Sequence, residues 1–97
     1  MKGYILADVQ IQDPVRYENY KKLTPASLEP FGGRFIVRGG STETLEGDWA
    51  TGRVVVIEFP SAAQAKAWWA SDDYAPAKAL RQATAHTRML LVEGVTP

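Results

Sequence analysis

A chain of 97 residues without a sharp shift in composition is expected to form a single domain over residues 1–97, and 45% hydrophobic with 23% charged residues rules out a disordered chain. Eleven basic and eleven acidic residues cancel and are interspersed, so neither the basic stripe needed for nucleic acid nor the polybasic patch drawn to anionic membranes is present. With no cysteine there is no disulfide framework, thiolate nucleophile or cysteine metal ligand, which points to the cytoplasm.

The first strand is expected over Tyr4–Ile11, with Ile5, Ala7, Val9 and Ile11 alternating against Tyr4, Leu6, Asp8 and Gln10. Asp8 comes too early for the apolar core of a signal peptide, and no apolar run approaches the roughly 20 residues that span a bilayer. Asp13-Pro14 opens a helix, because Asp13 can accept from free backbone amides and proline suits the first helical position. Tyr17, Tyr20 and Leu23 follow at helical spacing; Thr24-Pro25 repeats the cap-and-proline pattern, predicting a break and a short second helix to Glu29. Pro30 and Gly32-Gly33 end it.

Arg34–Arg38 and Arg53–Phe59 form the central hairpin, the second run being the stronger strand because Val54, Val55, Val56 and Ile57 fill it. The connection between them is glycine-rich and polar, with a bend or bulge expected at Gly39-Gly40, a short extra strand at Thr42–Glu46 and a turn at Gly47-Asp48 before Trp49. Ser61-Ala62-Ala63-Gln64 is a capping box opening a helix to about Ala70, with Ala65, Trp68 and Trp69 on its apolar side. The two tryptophans point about 100° apart, which places one at the core margin. Ser71-Asp72-Asp73 breaks the chain before a helix packed by Ala77, Leu80 and Ala83. A strand over His86–Glu93 and a tail from Gly94 to Pro97 complete it. The order β-α-β-β-α-β is the ferredoxin-like α+β motif, a four-stranded antiparallel sheet with its helices on one face.

Period-two geometry turns Ile5, Ala7, Val9, Phe35, Val37, Val55, Ile57, Phe59, Met89 and Leu91 toward the helices. It turns Leu6, Ile36, Val54, Val56, Leu90 and Val92 to a face that no helix covers. At about 1.5–3 kcal/mol per buried side chain, that second set is worth roughly 10 kcal/mol per protomer, comparable with the stability of a small domain. The expected partner is a second copy, sheet face to sheet face, in a closed dimeric α/β barrel: a homodimer, with no nucleic acid and no membrane. Asp8, Arg34, Arg38, Glu58, His86 and Arg88 share the parity of the uncovered face. Pairing Arg38 with Val54 sets Arg34 opposite Glu58. Such groups either converge on an apolar cavity that takes a small molecule or form ordinary ion pairs at its rim.

As candidates for chemistry, His86 is the sole histidine and a general base if Asp8 or Glu58 lies within reach, or else a solvated strand-end residue. One histidine without cysteine argues against zinc, and Glu43, Glu46 and Asp48 fall in a solvated loop, so no metal and no cofactor are expected. Arg38 is the anchor for an anionic ligand, with Arg34, Arg88 and Trp49 around it and Asp8, Glu58 and His86 as acid/base candidates. Trp49 either lids the cavity or locks across the dimer. The paired glycines are no phosphate loop, since no Lys-Ser or Lys-Thr follows, and the serines lack a nucleophile elbow.

The run Gly32-Gly33-Arg34-Phe35-Ile36-Val37-Arg38-Gly39-Gly40 followed by Leu45-Glu46-Gly47 resembles the signature of the domain-of-unknown-function 1330 family. Arg53–Ser61, Ala67-Trp68-Trp69, Ser71 with Tyr74, Arg81, and Val92-Glu93-Gly94 extend the resemblance over nearly the whole chain. Trp69 departs from it, standing where tyrosine is more usual. The resemblance implies a dimeric α/β barrel and no settled activity. Relatives at the superfamily level include cofactor-independent monooxygenases, lactone isomerases and heme-handling proteins, a fold-level analogy only. Two functions are therefore expected: a small-molecule site, with or without catalysis, or a non-catalytic dimer module.

Overall fold

A computed structural model describes residues 1–96; Pro97, the end of the expected tail, lies outside the described residues. The chain runs β1 (Gly3–Ile11), α1 (Pro14–Leu28), a 3-10 turn (Glu29–Phe31), β2 (Arg34–Arg38), β3 (Arg53–Phe59), α2 (Ala62–Trp69), α3 (Ala75–Thr84) and β4 (Ala85–Glu93). Every strand pairing is antiparallel and the sheet order is β2-β3-β1-β4, the ferredoxin-like arrangement expected from the element order. The stretch Thr42–Glu46 is irregular, without the expected extra strand, and pairs with neither edge of the sheet. Thr42 and Thr51 hydroxyls bridge its two limbs at 2.9 Å instead, and Thr44 Oγ1 donates to the Trp49 carbonyl at 2.6 Å.

Helix α1 does not break at Thr24-Pro25. It continues through Pro25 to Leu28. Proline normally disrupts a helix interior partly because the carbonyl four residues back loses its donor. Here that carbonyl belongs to Lys21, and the Arg38 Nη2 donates to it at 2.8 Å from the edge strand β2. The buried seam of α1 is Tyr17, Tyr20, Thr24, Ser27 and Leu28, while Leu23, expected on it, points away and is 48% exposed.

Ser61 caps α2 by accepting from the Gln64 amide at 3.1 Å, as the capping box predicts. It directs Trp68 into the core and leaves Trp69 at the margin. Trp68 stacks on Tyr74 with ring centroids 3.9 Å apart, and its indole donates to Ser27 Oγ at 3.0 Å. Helix α3 buries Ala77, Arg81 and Thr84, so Ala83, expected in its packed face, lies on the solvent side. Ile5, Ala7, Val9, Val55, Ile57 and Phe59 meet these helices from the sheet.

β2 carries a bulge. Arg34 pairs with Glu58 and Phe35 with Ile57, but Val37 then pairs with Val56 and Arg38 with Val55. One extra residue between Phe35 and Val37 reverses the parity of the strand's second half. Val37 therefore joins the uncovered face and Arg38 the helix side, the opposite of simple alternation. Gly39, at φ 74, turns the chain out of the strand, where a side chain would be strained.

Candidate functional site

With the bulge in place, the uncovered face is organised in rows across the sheet. Val37, Val56, Leu6 and Leu90 form one row spanning all four strands. On one side lies the row Arg34–Glu58–Tyr4–Val92, on the other Val54–Asp8–Arg88. Among the described residues no helix covers them: Leu6, Val37, Leu90 and Val92 keep 38%, 39%, 56% and 42% of their surface exposed, and Ile36 45%. Those five leave about two side chains' worth of apolar surface in water, or roughly 3–7 kcal/mol per protomer if covered. This is less than alternation alone suggests, because neighbouring side chains already shield part of each residue.

A cleft of about 710 Å³ lies on this face, walled by Leu6, Val54, Val56, Met89 and Leu90 and closed at one end by Asp8, Trp49 and Arg88. Three donors converge on the Asp8 carboxylate: Trp49 Nε1 at 3.0 Å, the Gly52 amide at 2.8 Å and Arg88 Nη2 at 3.1 Å. The Trp49 indole first, then the Gly52 amide, hold its pKa below the ordinary carboxylate value; partial burial opposes them and Arg88 adds to the lowering. Asp8 therefore remains an anion at neutral pH and is a poor proton acceptor. It also straps the connection between β2 and β3 across the face, since Trp49 and Gly52 both belong to that connection.

Glu58 anchors the other charged row. It accepts from Lys2 Nζ at 3.1 Å, Arg34 Nε at 2.9 Å and the Tyr4 hydroxyl at 3.2 Å. Lys2 and Arg34 lower its pKa most, so it too is held as a carboxylate.

A family model described as a domain of unknown function (DUF1330) matches residues 2–95. The chain belongs to the DUF1330 family. No curated protein matches it. Among solved structures it is similar to a protein of unknown function from Rhodopseudomonas palustris, at 21% identity and TM-score 0.78, covering 99% of this chain and 84% of that one. It is also similar to SnoaB, described as a cofactor-independent oxygenase from Streptomyces nogalater, at 14% identity and TM-score 0.69 over 99% of this chain and 95% of that one. A conserved protein of unknown function from Bacteroides thetaiotaomicron matches at 18% identity and TM-score 0.66, over 96% and 97% of the two chains. Identities this low establish a shared fold.

Within this DUF1330 fold the candidate residues fall into separate groups. Asp8, Trp49 and Arg88 meet at one end of the cleft, whereas Arg34 and Glu58 meet two rows away across the sheet. Arg38, expected as the ligand anchor opposite Val54, is on the helix side, where it donates to Lys21 and lies 4.2 Å over the Phe35 ring. The bulge is the physical reason. His86 is exposed at the start of β4, opposite Gln10, and neither Asp8 nor Glu58 lies within 4.0 Å of its ring, so the expected acid–histidine pair does not form. Among the described residues, no three His, Asp or Glu side chains cluster to hold a metal, and no helix is long and apolar enough to cross a membrane. The Gly52 amide escapes sequence reading because it acts through its backbone. Arg81, 5% exposed, is missed because a charged residue on a helix is ordinarily assigned to solvent; its place four residues after buried Ala77 is the available signal.

Proposed function

We propose that this DUF1330 protein is a homodimer whose two sheets face each other and enclose a cavity for a small, partly apolar anionic molecule. The observation that supports this reading is the four-strand apolar row, left uncovered by the chain's own helices, beside a cleft of about 710 Å³ that ends on Trp49, Asp8 and Arg88. A second copy is the economical cover for such a face, because symmetry supplies the same apolar row again. Arg88 is the anchor for the anion: one terminal nitrogen is engaged by Asp8, and the side chain keeps 70% of its surface for other partners. Arg34 offers a second cation at the opposite rim, 69% exposed. Trp49, tethered by Asp8 and 55% exposed, supplies an aromatic wall.

Asp8 and Glu58 are positioning anions in this reading, holding Trp49, Arg88 and Arg34 in place, and no reaction is assigned. SnoaB's description as a cofactor-independent oxygenase gives the fold a precedent for chemistry without a prosthetic group, a fold-level analogy. One observation favours the second reading, a non-catalytic dimer module: both carboxylates are already satisfied by internal donors, as register-setting ion pairs are. Thermal-shift screening of small organic acids, with Arg88→Ala in parallel, separates the two. The binding reading expects stabilising hits that weaken in Arg88→Ala; an absence of hits, or hits indifferent to the substitution, favours the module.

A further inference from the structure

A second cavity opens toward the helices; it shares Met89 and Leu90 of β4 with the cleft above, but not Arg81, Thr87 or Trp69, on which the following argument rests. It measures about 670 Å³ and is bounded by α2, α3 and β4, with Lys66, Trp69, Arg81, Thr87, Met89 and Leu91 among its walls. Arg81 is the unusual member. Its side chain comes from the buried face of α3 and the residue is only 5% exposed. Among the described residues, no carboxylate lies within 4.0 Å of its guanidinium. Its single side-chain hydrogen bond runs from Nε to the Tyr74 hydroxyl at 3.2 Å, and Tyr74 is fixed in turn by Tyr20 at 2.9 Å. That bond fixes one edge of the guanidinium, and among the described residues its terminal nitrogens have no hydrogen-bond partner, while the side chain lines the cavity.

A permanent charge taken out of water without a counter-ion is costly. A second polar group in the same wall is also unmet: Thr87 Oγ1 is buried with no hydrogen-bond partner among the described residues. The remaining wall sharpens the electrostatics. Lys66 joins Arg81 there as a second cation, His86 lines it too, and among the described residues no aspartate or glutamate does. Trp69, Met89, Leu91 and Ile5 make most of the remaining wall apolar, with Gln82 as a neutral polar member.

We propose that this helix-side cavity is a binding site for a small monocarboxylate with an apolar body. The carboxylate takes the terminal nitrogens of Arg81 in the planar two-point geometry a guanidinium favours, with Thr87 Oγ1 donating beside it. The apolar body lies along Trp69, Met89 and Leu91. Lys66 assists entry through its charge. The site belongs to one protomer and needs no residue from a second.

The three tryptophans make the test direct, because Trp49 lies on the uncovered face, Trp68 in the core and Trp69 in this cavity. Phenylacetate is titrated into the ¹⁵N-labelled protein to about 10 mM, enough to detect millimolar affinity, with phenylacetamide and inorganic phosphate in parallel. The expected result is saturable movement of the Trp69 indole and Arg81 Nε–H resonances with phenylacetate, and little with the uncharged amide or with phosphate. Arg81→Met is expected to weaken phenylacetate binding roughly 10- to 100-fold, the worth of a charge-assisted hydrogen-bonded pair, while leaving the ligand-free melting temperature equal or higher. Movement confined to Trp49, phosphate or the amide acting as strongly as phenylacetate, no saturable change, or undiminished binding in Arg81→Met would each overturn the proposal. If Arg81→Met does not fold, the resonance map on the unsubstituted protein decides alone.

Discussion

The contact between Arg38 and the Lys21 carbonyl explains how α1 carries Pro25 in its interior, and it predicts a specific coupling between two residues 13 positions apart in sequence. Arg38→Ala removes a charge-assisted hydrogen bond, worth about 1 kcal/mol at this exposed position after discounting for water. It also removes the stacking over Phe35 at 4.2 Å, worth about 0.5–1 kcal/mol. The expected loss is about 1.5–2 kcal/mol. In a Pro25→Ala background, residue 25 regains an amide hydrogen that serves the Lys21 carbonyl from within the helix. Arg38→Ala should then cost only the aromatic contact, leaving a coupling energy of about 1 kcal/mol between the two sites. Urea unfolding of the two single variants, the double variant and the unsubstituted protein measures it. Additivity within about 0.3–0.5 kcal/mol would refute the idea that Arg38 substitutes for the missing amide.

Asp8→Asn should loosen the connection between β2 and β3 and destabilise by about 1–3 kcal/mol at pH 7, with Trp49 more accessible to acrylamide quenching. Because the folded-state pKa of Asp8 is lowered, its stabilisation is complete above the unfolded value near 3.9 and disappears as pH falls through the folded value. The stability gap between the two proteins should therefore stay flat from pH 8 to about 5 and close below about pH 4; a gap that persists in acid contradicts the assignment. Trp68→Phe removes the indole donor to buried Ser27 and should cost about 2–3 kcal/mol in thermal unfolding, counting the lost bond and the altered stack on Tyr74. Arg38→Ala and Glu58→Ala share no partner and should add.

Much of this architecture was legible in the sequence because it follows from backbone geometry. The alternation of Ile5, Ala7 and Val9 fixes the inner face of β1, and Ser61 with Gln64 marks the start of α2. The site was harder to read where long-range contacts override local rules. Ile36 and Val37 are both apolar, so nothing in the run Arg34–Arg38 announces a bulge, yet it decides which face Arg38 joins. Pro25 reads as a break unless a donor from a distant strand is known. Asp8 sits alone in an apolar strand, a visible oddity, but its partners Trp49 and Gly52 lie more than 40 positions away in an irregular connection. Arg81 stands out in the sequence only as one residue of the family resemblance, and its burial comes from neighbours that composition does not reveal.

Sedimentation of the purified protein at about 100 µM, beside a Leu90→Glu variant, bears most directly on the sheet-to-sheet pairing. Leu90 ends the apolar row at 56% exposure, so glutamate there costs a lone chain little but places two facing charges in a paired one. The expected outcome is twice the chain mass for the unsubstituted protein and a single chain mass for the variant, both folded. A single chain mass for the unsubstituted protein, or a pair that Leu90→Glu leaves intact, would contradict the pairing of the uncovered faces.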